Sequence, residues 1–214
     1  RPRLGAGRGP GQELWRLGAP GGRRSAARGA GAGRSEAHGA ARIRKNKQVL
    51  NKKIDNFFGW VKGAKLVELK ECNVEEDPVR PELDNEFRTG FGRKIYGVEY
   101  QGEIHAVMCF AYTNEIPKSV DELEKLSTDA FLQSAMRDQK GGQIAIAYTV
   151  WSKKKGGGKL IVKEVFKKIK KSNHLNRLVT LSPLTEMATN FHERNGAKLI
   201  QINETTQNFE YKVI

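Results

Sequence analysis

The sequence predicts an α/β (α+β) domain, a mixed central sheet with helices on both faces. Three observations carry this. Residues 143–151, QIAIAYTVW, form a nearly continuous apolar run, the mark of a strand buried on both sides. A glycine-rich turn and an amphipathic stretch at 159–171 lead from it to a second apolar run at 177–182. Ahead of them, residues 93–100 and 103–112 flank Gln101-Gly102 as the arms of an antiparallel hairpin flank its turn.

In chain order, residues 45–62 place Val49, Leu50, Ile54, Phe57, Phe58 and Val61 at helical spacing, with lysines on the other side. Residues 65–70 read as a short strand. Residues 71–92 read as a loop, because Asp77-Pro78 and Arg80-Pro81 punctuate them. After the hairpin, Pro117 closes the unit. Ser119, with Glu122 three positions on, starts a helix over 119–137 with an apolar stripe of Leu123, Leu126, Phe131 and Met136. The helix at 159–171 turns Val162, Val165, Phe166 and Ile169 to one side. Pro183 fits an early helix position, so 184–195 reads as a helix with Leu184, Met187, Ala188 and Phe191 inward and Gly196 as its stop. Strands at 198–202 and 208–213 finish the chain.

Composition divides the 214 residues in two. Residues 1–44 hold ten arginines, two acids, eleven glycines and no lysine, for a net +8; residues 45–214 hold 28 basic and 22 acidic residues, for +6. The body alone is therefore only mildly basic, and the overall +14 is a weak argument for a nucleic-acid partner. The first segment has too few large apolar residues to offset its own ordering entropy, so it reads as a disordered tail. Three origins compete for it: a basic arm that holds nucleic acid weakly and non-specifically, a targeting peptide, or a stretch foreign to the native protein. No run reaches the length of a membrane span, so no membrane partner is expected. Cys72 and Cys109 have neither metal-ligand spacing nor a disulfide framework, which fits a reducing, cytoplasmic setting without a metal.

The chemistry-bearing feature is a strand that runs into Lys153-Lys154-Lys155-Gly156-Gly157-Gly158 and then a helix. Unpaired N–H groups at a helix start, the helix dipole and bare glycine backbone make an anion site, and a pyrophosphate fits it. The spacing is neither that of a Walker loop nor that of a dinucleotide fingerprint. A plain glycine-rich connection is the competing reading.

This segment resembles the Q/R-x-x-G-x-G/A pyrophosphate loop of the GNAT acyltransferase superfamily, with Lys153 in place of glutamine or arginine. Downstream, Thr185, Ala188, Phe191-His192-Glu193-Arg194, Gly196 and Ala197 resemble the superfamily's N-x-x-A-x-x-L/F-Y-E-K-x-G-F segment. The resemblance covers roughly residues 90–214. Residues 145–183 are also similar to the catalytic region of malonyl-CoA decarboxylases, including the turn Leu181-Ser182-Pro183.

The resemblance implies a GNAT-like acyl-CoA-binding domain over 45–214, with acetyl-CoA or another acyl-CoA as cosubstrate. It implies that Tyr148, Thr149, Val150 and Trp151 line the pantetheine arm. Lys153, Lys154, Gly156, Gly157, Gly158 and Lys159 would hold the pyrophosphate, and Ser182, Thr185 and Asn190 would touch the pantetheine or the acyl end, with Ser182 also a catalytic candidate. His192 stands where the superfamily places a tyrosine that protonates the leaving thiolate, a role open to histidine. Its competing reading is a helical histidine without chemistry. For a general base, Glu99 is one candidate, beside Glu103 and His105, against an ordinary role as a solvated surface charge. The first expectation is transfer of an acyl group, acetyl before others, to a small-molecule or peptide amine by direct attack. A malonyl-CoA decarboxylase-like activity and a non-catalytic CoA-binding module are the alternatives. Monomer and homodimer are both open.

Overall fold

The computed structural model describes residues 32–137 and 141–212. Contacts divide the chain into Arg1–Leu50 and Asn51–Ile214. Residues 1–31 of the expected tail lie outside the described part. The first helix, α1 (Ala32–Gly63), starts well before residue 45 and spans both units. Val49 and Leu50 are exposed on it; the side chains of Ile54, Phe57 and Phe58 lie outside the described set. Among its described side chains Trp60 is buried, and the expected stripe left it out.

The second unit is built on one eight-stranded sheet. Strands β1 (Lys65–Leu69), β2 (Lys94–Tyr100), β3 (Glu103–Thr113) and β4 (Ile144–Ser152) pair antiparallel in that order. The β2–β3 turn works because Gln101 and Gly102 take positive φ, 55° and 81°, as a tight hairpin requires. β5 (Arg177–Thr180) then pairs parallel to β4. β6 (Ser182–Pro183) continues it after a break at Leu181, and both pair antiparallel to β8 (Thr206–Tyr211), whose other side carries β7 (Ala197–Ile202).

The 71–92 segment is more structured than expected. It holds 3₁₀ turns at Val74–Glu76 and Gly90–Gly92 and the short helix α2 (Asn85–Thr89), capped by the Asp84 side chain on the N–H of Phe87. α3 (Val120–Arg137) starts as anticipated: the Glu122 N–H donates to Ser119 Oγ at 3.1 Å. Its inward face is Leu123, Ser127 and Ala130, however, and Phe131 and Met136 point out. α4 (Gly157–Lys170) buries Leu160, Ile161, Val162, Val165 and Ile169. α5 (Glu186–Arg194) is capped by Thr185, whose Oγ1 accepts from the Ala188 N–H. Pro183 therefore belongs to β6 and does not open α5. Leu184 and Met187 are exposed, and His192 takes the buried position.

The sheet separates two apolar clusters. One joins α4 to Met108, Ala147, Leu178 and Phe209. The other lies under the 71–92 segment and α3, where Leu83, Phe87 and Leu123 meet Tyr148, Trp151 and Leu181. Helices thus cover both faces, as the sequence predicts.

Candidate functional site

The parallel pairing of β4 and β5 ends at Ala147↔Thr180. One more bond, Leu181 N–H to Ala147 O at 2.9 Å, closes the paired region. On the other side of β4, the register against β3 slips so that Cys109 faces Thr149 and Phe110 faces Ala147. Tyr148 is the extra residue of this bulge, and a bulge bends its strand. β4 bends away where β5 breaks, and the two strands splay. A cavity of about 340 Å³ opens there, lined by both strands, α4, α5 and the 76–79 turn.

Backbone dictates the phosphate-loop end. Gly156 caps α4 in the left-handed region, φ 85°, which glycine adopts without penalty. A Cβ on Gly157 would lie 3.0 Å from the Ser152 Cβ, and one on Gly158 would lie 2.9 Å from the Phe191 ring. The glycines thus let α4 pack against β4 and α5 as well as baring its N-terminus. The Gly157 N–H is spent on Lys154 O, and the Leu160 N–H on Gly156 O. That leaves the Gly158 and Lys159 N–H groups at the open end of the helix. Lys153 Nζ pairs with Glu76 at 2.7 Å, and Lys154 Nζ sits 4.6 Å from the Trp60 ring centre and 4.7 Å from that of Tyr100. Lys155 and Lys159 are exposed at the mouth of the turn.

At the far end, Ser182 and His192 come together. Ser182 Oγ lies 2.8 Å from His192 Nε2 and donates to Thr180 Oγ1 at 3.0 Å. His192 Nδ1 lies 2.9 Å from the Tyr211 hydroxyl, and its ring stacks on Phe209. His192 is 5% exposed, and burial pushes its pKa down to about 4. At neutral pH it is an uncharged imidazole held in place by two hydroxyls. Such a chain orients the serine hydroxyl and passes hydrogen-bond polarisation to it; it cannot act as a strong base.

A buried polar network stands behind the splay. Arg80 donates from Nε to Tyr148 O at 2.9 Å and from a terminal nitrogen to Leu181 O at 3.1 Å, so one guanidinium bridges both strands. Burial lowers its pKa. Asp77 accepts the Thr149 hydroxyl on both oxygens at 2.8 Å and pairs with Arg88 at 2.9 Å, and both members of that pair are fully buried.

Of the expected site residues, Tyr148, Thr149, Val150, Trp151, Lys153, Gly158, Ser182, Thr185 and His192 all line the cavity. Asn190 is on α5, with its Nδ2 toward Glu186, and does not line it. Glu99 lies on β2 in register with Lys65 and Ile104, also away from it. Glu76 is the lining carboxylate among the described residues, and Lys153 holds it. Sequence reasoning missed Asp77, Arg80, Arg88, Thr180 and Tyr211. One signal was there: of six arginines beyond residue 44, in a body that otherwise uses lysine, three fall at 80, 88 and 93. Among the described residues there is no cluster able to hold a metal ion and no helix long and apolar enough to cross a membrane.

No protein-family model and no curated protein matches the sequence. Solved structures do. The chain is similar to the GphF GNAT-like decarboxylase in complex with isobutyryl-CoA: 9% identity, over 70% of this chain and 100% of that one, TM-score 0.55. It is also similar to the loading GNATL domain of CurA from Lyngbya majuscula: 13% identity, over 70% and 98%, TM-score 0.50. A malonyl-CoA decarboxylase from Cupriavidus metallidurans aligns at 18% identity over 62% of this chain and 34% of its own length, TM-score 0.41. At these identities the first two likenesses define the fold alone. It is the GNAT-like α/β fold, with its splayed central strands and a glycine-rich turn at the head of the following helix.

Proposed function

We propose that this chain binds an acyl-CoA along the splay and removes the terminal carboxylate of a short carboxyacyl-CoA of the malonyl type. The observation that carries this reading is the uncharged Ser182–His192–Tyr211 chain at the inner end of the cavity. The α4 N-terminus suits the pyrophosphate, and the apolar slot past Val150 and Phe191 suits the pantetheine arm. With Tyr211 donating to Nδ1, His192 Nε2–H donates to Ser182 Oγ, and the serine proton turns from Thr180 Oγ1 to the substrate. The bond from carboxylate to α-carbon breaks, and its electron pair moves onto the thioester oxygen as carbon dioxide leaves. Ser182 Oγ–H donates to that enolate oxygen. A proton from solvent then returns to the α-carbon and gives the shortened acyl-CoA.

Acyl transfer to an amine, the first expectation from sequence, is the second reading. It shares the thioester site but needs an ammonium deprotonated. Moving a proton from an alkyl ammonium near pKa 10.4 to a group near 4 costs roughly 9 kcal/mol, so His192 is unsuited to that step. Arg80 also bridges the strands on the side away from α4.

The test is incubation of the full chain with malonyl-CoA, with and without a panel of amines. The proposal expects acetyl-CoA and carbon dioxide in equal amounts without any amine, and a loss on the order of 100-fold in Ser182→Ala. Release of free CoA only when an amine is present would replace it with acyl transfer. CoA binding without turnover would leave a binding module.

A further inference from the structure

Both cysteines of the chain lie on the face of the sheet opposite α4. Cys109 is buried in the middle of β3; Cys72 is half-buried, three residues past the end of β1. They pack in the same apolar cluster, near enough for each thiol to influence the ionisation of the other. Arg88, fully buried, directs Nη1 to Cys109 Sγ at 3.3 Å. Asn85 clamps Cys72: its Oδ1 accepts from the Cys72 N–H at 2.9 Å and from the thiol at 3.5 Å, and its Nδ2 donates to Cys72 O at 3.0 Å. This is two thiols in one cluster, one half-buried and one enclosed, beside a fixed cation, the environment that makes thiols reactive.

We propose that Cys72 and Cys109 form an oxidant-reactive thiol pair that closes an intrachain disulfide when a peroxide reaches Cys72. The Cys72 thiolate attacks one peroxide oxygen; the S–O bond forms, the O–O bond breaks, and the first water leaves after protonation. Cys109 Sγ then attacks the Cys72 sulfenic acid; the S–S bond forms, the S–O bond breaks, and the second water leaves. The two thiols give up two electrons and two protons, and the peroxide is reduced to two waters. The order follows from the surroundings. Cys72 is half-buried and Cys109 enclosed, so a peroxide meets Cys72 first; the neighbouring Cys109 thiol and the charge of Arg88 also lower the Cys72 pKa, whereas burial pushes the Cys109 thiol well up. Cys72 is therefore the attacking thiol and Cys109 the resolving one. The disulfide removes the thiol that Arg88 Nη1 faces. Arg88 also holds Asp77, which holds Thr149 on the cavity wall, so the pair is connected to the site through three side chains.

The experiment treats the reduced full chain with hydrogen peroxide, unfolds it in an alkylating agent and maps the peptides by mass spectrometry. The expected result is one cross-linked peptide pair joining Cys72 to Cys109 within a chain, lighter by two hydrogens, with neither thiol alkylated. In Cys109→Ser, Cys72 should accumulate as a sulfenic acid trapped by dimedone. In Cys72→Ser, Cys109 should stay reduced while the protein is folded, as thermal unfolding verifies. Full alkylation of both thiols after peroxide, or a disulfide that joins two chains, would overturn the proposal.

Discussion

Protonation of His192 should destabilise the fold, and the size of the effect can be worked out. In the folded chain burial holds its pKa at about 4, against about 6.5 when exposed. The folded state favours the neutral ring, so between these values the unfolded chain binds the extra proton. The stabilisation is fully present above pH 6.5 and is lost as the pH falls toward 4. Two and a half units correspond to roughly 3 kcal/mol, or about 10 °C in melting temperature for a domain of this size. The assay is urea unfolding of wild type and His192→Gln from pH 7.5 to pH 4. The variant shares every other titrating group, so the difference between the two curves isolates this histidine. Wild type should lead at pH 7.5 and lose about 3 kcal/mol of that lead by pH 4. A gap that does not change with pH, or an imidazole resonance that titrates near 6.5, would refute the burial of a neutral ring between Ser182 and Tyr211.

Three further outcomes follow from named contacts. Asp77→Asn leaves Arg88 buried without its partner and should cost about 3–5 kcal/mol in urea unfolding. Arg80→Met strips the donor from two buried carbonyls; it should lower kcat roughly tenfold or more and change CoA affinity little, read as separate kcat and Kd measurements. Gly156→Ala forces a side chain into φ 85° and should cost about 1–2 kcal/mol, measured by the melting temperature.

The sheet was legible in the sequence because its strands are periodic or uniformly apolar. The hairpin at 93–112 and the central strand at 143–151 fall where their patterns put them, within a residue or two. Helix faces were read less well. Leu184, taken as inward, precedes α5 and is open, and Met187 on α5 is open too, since the helix is phased by the hydrogen bonds of His192. In α3, a serine takes an inward place through its bond to Arg93 while Phe131 points out. The site divides in the same way. Ser182 and His192 were legible through motif resemblance, whereas their contact was not, since ten residues and a helix cap separate them. The Arg80 bridge was invisible because its acceptors lie 68 and 101 residues away and are backbone carbonyls, which leave no mark on sequence. Glu99 was proposed from its type and strand; the register places it on the far side of the hairpin from β4.

The most direct test of the account is calorimetric titration of the full chain with acetyl-CoA, beside Gly158→Glu and Lys155→Glu. The first variant puts a carboxylate at the open end of α4; the second reverses an exposed charge at the same turn without touching Phe191. Saturable binding to wild type, at least tenfold weaker in both variants while their melting temperatures show them folded, is the predicted result. Absence of binding to the folded wild type, or equal affinity in all three proteins, would contradict the claim that the splay and the glycine turn form a CoA site.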